Sequence, residues 1–244
     1  MYSILEHYLS TNHILMIGMI VTFILTFFLL EHPFSFLPSD QGRAFAVNGS
    51  LSKGKLRGVG FIFVLCFLIS SVLFLPIDVE YVIYAILLFA MMISGYLDDA
   101  SKTPWNEYKK GLIDLVISVV AVLTYMNFNS TTICFGADEI VIPKALFLIL
   151  GVILIWVSVN VTNCTDGVDG LCASLCSVTL LAFGVLFAPI LQKYAMANFL
   201  FLSVLFAYLY FNSSPSSMLM GDAGSRALGF YIAVIALKST HPFI

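Results

Sequence analysis

Eight apolar stretches run through this 244-residue chain: Ile14–Leu30, Gly58–Pro76, Val79–Leu97, Gly111–Met126, Lys144–Val161, Leu171–Ile190, Ala195–Phe211 and a segment from Ala227 onward. A helix that crosses a bilayer needs about 20 mostly apolar residues, with about 17–25 as the usual range. Backbone groups in lipid must satisfy one another internally, which only helices and closed barrels achieve. The alternating pattern of barrel strands does not occur in this sequence. Composition agrees: 60% of residues are hydrophobic and 10% charged, where a soluble domain carries about 25% charged residues. The expected fold is all-α, a polytopic membrane protein of about eight transmembrane helices in a single membrane-embedded domain over residues 1–244. The eighth stretch is the weakest, because it meets Lys238 and a Ser-Thr-His-Pro sequence after about eleven residues.

Orientation follows from the loop lysines and arginines. The loops after the first, third, fifth and seventh spans hold Arg43, Lys53, Lys55, Arg57, Lys102, Lys109, Lys110 and Arg226; the other side holds Lys144, Lys193 and Lys238. Eight against three makes the first set cytoplasmic and places the amino terminus outside. Met1–Ser10 carries no Lys or Arg, so the first apolar stretch reads as a retained span and not as a cleaved signal. A net charge of −3 provides no basic field for nucleic acid. Cys66, Cys134, Cys164, Cys172 and Cys176 form no C-x-x-C pair, and His7, His13, His32 and His241 are scattered. These residues read as packing and surface, not as metal ligands.

The polar chemistry gathers on the inner side. Gly95-Tyr-Leu-Asp-Asp-Ala-Ser-Lys102 sets two adjacent carboxylates at the end of a span. Such a pair repels itself unless a divalent cation or a basic partner neutralises it; the plainer explanation is a solvated helix end with an ordinary ion pair. Asn160-Val-Thr-Asn-Cys-Thr-Asp-Gly-Val-Asp-Gly170 follows the fifth span. Its amides and acids suit sugar hydroxyls, a base edge or metal-bound phosphate, and its glycines allow close backbone approach. Phe211 to Gly229 places Asp222 between Gly221 and Gly224 ahead of the last span, where helix-start amides favour anions. Ser39 to Gly60 is a basic, Gly-rich loop suited to a diphosphate or to anionic lipid headgroups.

In this order, Asp98-Asp-Ala-Ser-Lys102, Asn160 to Leu171 and Met220-Gly-Asp-Ala-Gly-Ser-Arg-Ala-Leu-Gly229 resemble the motifs of the polyprenyl-phosphate N-acetylhexosamine-1-phosphate transferases. Within them the chain is most similar to the branch that builds the first lipid-linked peptidoglycan precursor. The resemblance runs from about Phe36 to Gly229. It implies a ten-span helical fold, UDP-N-acetylmuramoyl-pentapeptide as donor, undecaprenyl phosphate as acceptor, Mg²⁺ as cofactor, UMP as leaving product, and an active site on the cytoplasmic face of the bacterial inner membrane. By the same resemblance Asp222 is the metal ligand and a catalytic residue with Asp98, Asp99 and Asp166. Lys102, Lys110, Asn163, Asp169, Asn212 and Gly221 contact substrate. Homodimerisation is left open.

Two departures accompany the match. The chain stops before the family's last two spans and late His-containing loop, which suggests a truncated chain or a non-catalytic remnant. The Ser52–Gly60 stretch differs from the commoner Gly-Thr-Pro-Thr-Met-Gly-Gly form, where Lys53 or Lys55 would have to serve. The rivals are a sibling enzyme acting on UDP-N-acetylglucosamine and, from another class, an ion-coupled transporter. Intramembrane carboxylates are a transporter's usual signature. Here, however, the acids sit at one face and no inverted repeat is visible.

Overall fold

The computed structural model describes residues 1–32, 34–40, 52–101, 103, 105–135 and 138–239. A short α1 (Tyr2–Leu5) precedes α2 (Thr11–Glu31), α3 (Gly60–Phe74), α4 (Val79–Asp99) and α5 (Glu107–Phe128). After these come a two-stranded hairpin of β1 (Thr132–Phe135) and β2 (Asp138–Val141), then α6 (Lys144–Thr165), α7 (Leu171–Phe187), α8 (Gln192–Asn212) and α9 (Gly221–Lys238). The chain is a polytopic, all-α membrane protein. Among the described residues five helices, α2, α4, α5, α6 and α8, are long and apolar enough to cross a bilayer, while α3 and α7 are apolar but shorter. Each of the eight expected stretches falls on one of these helices.

Two details differ from the sequence expectation. The connection between α5 and α6, which lies between two of the apolar stretches, contains the antiparallel hairpin, with Thr132 opposite Val141. The last helix starts at Gly221 instead of Ala227. Its first turn, Gly-Asp-Ala-Gly, looks like loop in isolation and is helical because neighbouring helices bury it.

Helix starts are fixed locally. Asp78 caps α4 by accepting from the Tyr81 amide at 2.8 Å, and Asn106 caps α5 by accepting from the Lys109 amide at 2.8 Å. The bundle is built around α9, which is buried along nearly its whole length and packs against α3, α4, α6 and α7. Glycines let it approach that closely. A Cβ on Gly60 of α3 would lie 2.1 Å from the Gly224 amide nitrogen, and a Cβ on Gly95 of α4 would lie 2.3 Å from the Asp222 carbonyl oxygen. By contrast α6 leaves Leu146, Ile149, Ile153 and Val157 exposed on one side, the face a lipid-contacting helix shows.

The end of the bundle away from Asp222 is tied by a buried ion pair. Lys238 donates to both oxygens of Glu80 at 2.6 and 2.7 Å and to Asn129 Oδ1 at 2.9 Å. The Tyr84 and Tyr194 hydroxyls each donate to Glu80 at 3.3 Å. A charge pair taken out of water is tolerable when its remaining hydrogen-bonding capacity is met in this way. The cluster joins α4, α5, α8 and α9.

Candidate active site

At the other end, five segments bring their polar residues together. The approach to α3 is an extended strand, in which Leu56 bridges Ser39 on one side and Met218 on the other. Backbone bonds fix it on both flanks. The Arg57 amide donates to Pro38 O at 2.8 Å, the Leu219 amide to Leu56 O at 2.8 Å, and the Gly60 amide to Met220 O at 3.0 Å. Alternate residues of an extended strand share a face, so Lys55 and Arg57 both point toward the site. Lys55 donates to Ser216 Oγ at 2.8 Å and lies 3.8 Å from Asp169. Arg57 reaches Asp99 at 2.8 Å, Asp222 at 3.4 Å and Asp40 at 3.6 Å. Burial would lower the Arg57 pKa, but the carboxylates Asp99, Asp222 and Asp40 outweigh it and hold the guanidinium above its ordinary value.

Lys110 supplies the second cation. It lies on the first turn of α5, 2.6 Å from Asp98 and 3.1 Å from Asp222. Asp98 also accepts from the Trp105 amide at 2.7 Å. Asp99, whose side chain is fully buried, accepts from the Ala223 amide at 3.1 Å. That amide belongs to the start of α9, where the helix dipole favours negative charge. Gly221, at φ +67°, turns the chain into α9 beneath this carboxylate, and a Cβ there would lie 2.3 Å from Asp99 Oδ2.

One turn deeper the same two helices meet again. Asp114 follows Lys110 by four residues on α5, and Arg226 follows Asp222 by four on α9. Residues so spaced lie one above the other on a helix face. Arg226 Nη2 is 2.5 Å from Asp114, with both side chains buried. The result is a ladder of two rungs with opposite polarity, the upper one in the site and the lower one in the core. Between α5, α6 and α9 a cavity of about 410 Å³ opens beside it, lined by Lys110, Asp114, Trp156, Asn163, Asp222 and Arg226.

Asp98, Asp99, Lys110, Asp222 and Gly221 therefore come together as the motifs suggested, and Asn163 lines the adjoining cavity. Asp169 and Asn212 form a neighbouring group. Asp169 accepts from the Ser216 amide at 3.0 Å, and Asn212 accepts from the Gly170 amide at 3.0 Å while donating to Met218 O at 2.9 Å. Asp166 caps the end of α6, half-buried, on the turn that leads to Asp169. Lys102 lies outside the described residues, as does His241. Arg57, Asp40, Asp114 and Arg226 were not singled out as site residues from the sequence. Asp114 carried a usable signal, since a carboxylate inside an apolar span is rarely idle.

The donor set suits a hard divalent cation. Among the described residues no three acidic, His or Cys side chains are grouped so that they could hold a metal ion by themselves. Mg²⁺ needs no such cage, because it keeps several waters and takes one or two carboxylates together with substrate phosphates. Asp98, Asp99 and Asp222 lie against Arg57 and Lys110 here.

Comparison with known proteins gives a consistent result. A family model described as glycosyl transferase family 4 matches residues 81–240. The phospho-N-acetylmuramoyl-pentapeptide-transferases of two strains of Treponema pallidum are each 35% identical over 250 residues, covering 93% of this chain and 69% of theirs. The protein of that name from Halalkalibacterium halodurans is 29% identical over 249 residues, covering 93% of this chain and 76% of its own.

Proposed function

The chain belongs to glycosyl transferase family 4, and from that premise we propose that it transfers phospho-N-acetylmuramoyl-pentapeptide from its UDP donor to undecaprenyl phosphate. The products are the first lipid-linked peptidoglycan precursor and UMP. The observation that carries this reading is the convergence of Asp98, Asp99 and Asp222 with Arg57 and Lys110 at one end of an apolar bundle. A water-soluble diphosphate and a membrane-bound phosphate can meet only at such a place. The excess of lysine and arginine in the loops on this side supports a cytoplasmic site, on the inner membrane of a bacterium.

In the reaction an oxygen of the acceptor phosphate attacks the sugar-bearing phosphorus of the donor. The bond from that phosphorus to the bridging oxygen breaks, and UMP leaves with the electron pair. Phosphoryl transfer of this kind asks for charge neutralisation and in-line positioning more than for covalent help. A Mg²⁺ ion held by Asp222 supplies neutralisation on the diphosphate when bound. Lys110, bridging Asp98 and Asp222, adds positive charge at the same point and fixes the two carboxylates relative to each other. One carboxylate of the Asp98–Asp99 pair takes the proton still carried by the acceptor phosphate. Asn163 on the last turn of α6, Asp166 and Asp169 on the α6–α7 turn, and Asn212 at the end of α8 hold the nucleotide and sugar. Lys102 is a further phosphate contact in this reading.

The test is UMP release by the purified chain in detergent. Assays contain UDP-N-acetylmuramoyl-pentapeptide and undecaprenyl phosphate, with and without Mg²⁺, and a parallel series contains UDP-N-acetylglucosamine. Mg²⁺-dependent release with the pentapeptide donor is expected. Release only with the simpler donor moves the chain to the sibling activity, and release with neither refutes the reading.

A further inference from the structure

Arg57 lies among the carboxylates of the site, yet none of them holds it with a paired grip. Arginine usually grips a carboxylate through two parallel hydrogen bonds. Here the guanidinium divides itself among three acids, at 2.8 Å from Asp99, 3.4 Å from Asp222 and 3.6 Å from Asp40. The closest of these, between Nε and Asp99 Oδ1, is a charge contact without hydrogen-bond alignment, and neither atom finds another hydrogen-bond partner among the described residues. The backbone below is bonded on both flanks through Pro38, Leu56 and Leu219, so the side chain can swing without moving the strand. Its side chain is 30% exposed, so solvent reaches it.

We propose that Arg57 is a resident counter-cation of the divalent-ion site: it holds Asp99 and Asp222 together in the empty protein, and on arrival of the metal it moves onto the donor diphosphate. The inference deepens the function proposed above and rests on it. Lys110 takes Asp222 Oδ2 at 3.1 Å and Arg57 takes Oδ1 at 3.4 Å, so an ion arriving at Oδ1 competes with the guanidinium for that oxygen. A diphosphate offers the displaced fork the paired oxygens that the three acids deny it. Arg57 is thus a positioning residue toward the metal and a binding residue toward the donor.

The competition has a sign that can be read without turnover. The full chain in detergent is melted across a range of Mg²⁺ concentrations with no substrate, as wild type, Arg57→Gln and Arg57→Lys. Removing the charge is expected to lower the Mg²⁺ concentration of half-maximal stabilisation by about ten-fold or more, a conservative share of the repulsion because the side chain can retreat. Arg57→Lys keeps the charge and should stay near wild type. At saturating Mg²⁺, both variants are expected to raise the donor KM by about ten-fold, since neither has the fork. An unchanged midpoint in Arg57→Gln overturns the exchange alone. No Mg²⁺ response in the wild type overturns the metal reading beneath it. If Arg57→Gln does not fold, Arg57→Lys decides: a wild-type midpoint with a raised KM supports the proposal, and a wild-type KM overturns it.

Discussion

Replacing Arg226 with Met should damage this protein more than almost any other conservative-sized substitution, and the damage should be reversible by a second change. Arg226 and Asp114 are 2% and 4% exposed and sit 2.5 Å apart. Taking away the arginine leaves a buried carboxylate without its counter-charge, a loss of about 3–5 kcal/mol in comparable pairs. At about 2–4 °C per kcal/mol for a chain of this size, the melting temperature should fall by roughly 6–20 °C. Replacing both partners by apolar residues of similar volume removes the stranded charge, and such swaps are often neutral or stabilising. Arg226→Met with Asp114→Leu should therefore recover most of the loss. The assay is thermal unfolding in detergent of the wild type, both single variants and the double variant. A double variant as unstable as Arg226→Met would refute the argument, because it would mean that the loss came from packing and not from the isolated charge. UMP release by the double variant adds a second readout. Lys110 and Asp222, the upper rung of the ladder, remain intact in it, so turnover should survive better than in the single variant.

Asp222→Asn should reduce Mg²⁺-dependent UMP release by at least about a hundred-fold while leaving the unfolding temperature near wild type, given the usual size of transition-state charge terms; near-normal turnover would remove Asp222 from the metal role. Asp98→Asn and Asp99→Asn are expected to lower kcat far more than donor affinity, and a pure KM effect would argue against a part in the chemistry. Gly95→Ala places a Cβ 2.3 Å from the Asp222 carbonyl oxygen. It should push α4 from α9 and abolish activity, and an active, normally stable variant would show that this contact yields. A cysteine substituted at Lys53 should react only with reagents that reach the cytoplasm, and labelling from outside would invert the orientation.

The apolar spacing was enough to locate helices α2 to α9, because lipid leaves a chain few ways to bury its backbone. Asp98, Asp99 and Asp222 could also be grouped, through the resemblance that their motifs carry together. The remainder was hidden for physical reasons. Arg57 enters the site only because its strand docks beside Leu219, more than 150 residues along the chain, and no local pattern encodes that pairing. The start of α9 reads as loop because Asp222 and Arg226 look costly in a buried helix until Lys110 and Asp114 are seen opposite them. Glu80 was similarly opaque without Lys238 across from it.

The charges of α9 also bear on how the protein is made. Asp, Lys and Arg resist entry into a bilayer, by about 2.5–3.5 kcal/mol each at the centre of a helix and less toward its ends. A segment carrying Asp222, Arg226 and Lys238 within 18 residues is a poor candidate to insert by itself. Its counter-charges, Glu80 on α4 and Asp114 on α5, are synthesised earlier and wait in the membrane. α9 thus depends for its own insertion on helices that precede it by a hundred residues or more. Insertion of α9 is therefore expected to fail when Glu80 and Asp114 are both replaced by apolar residues, and a glycosylation-tag insertion assay reads this directly.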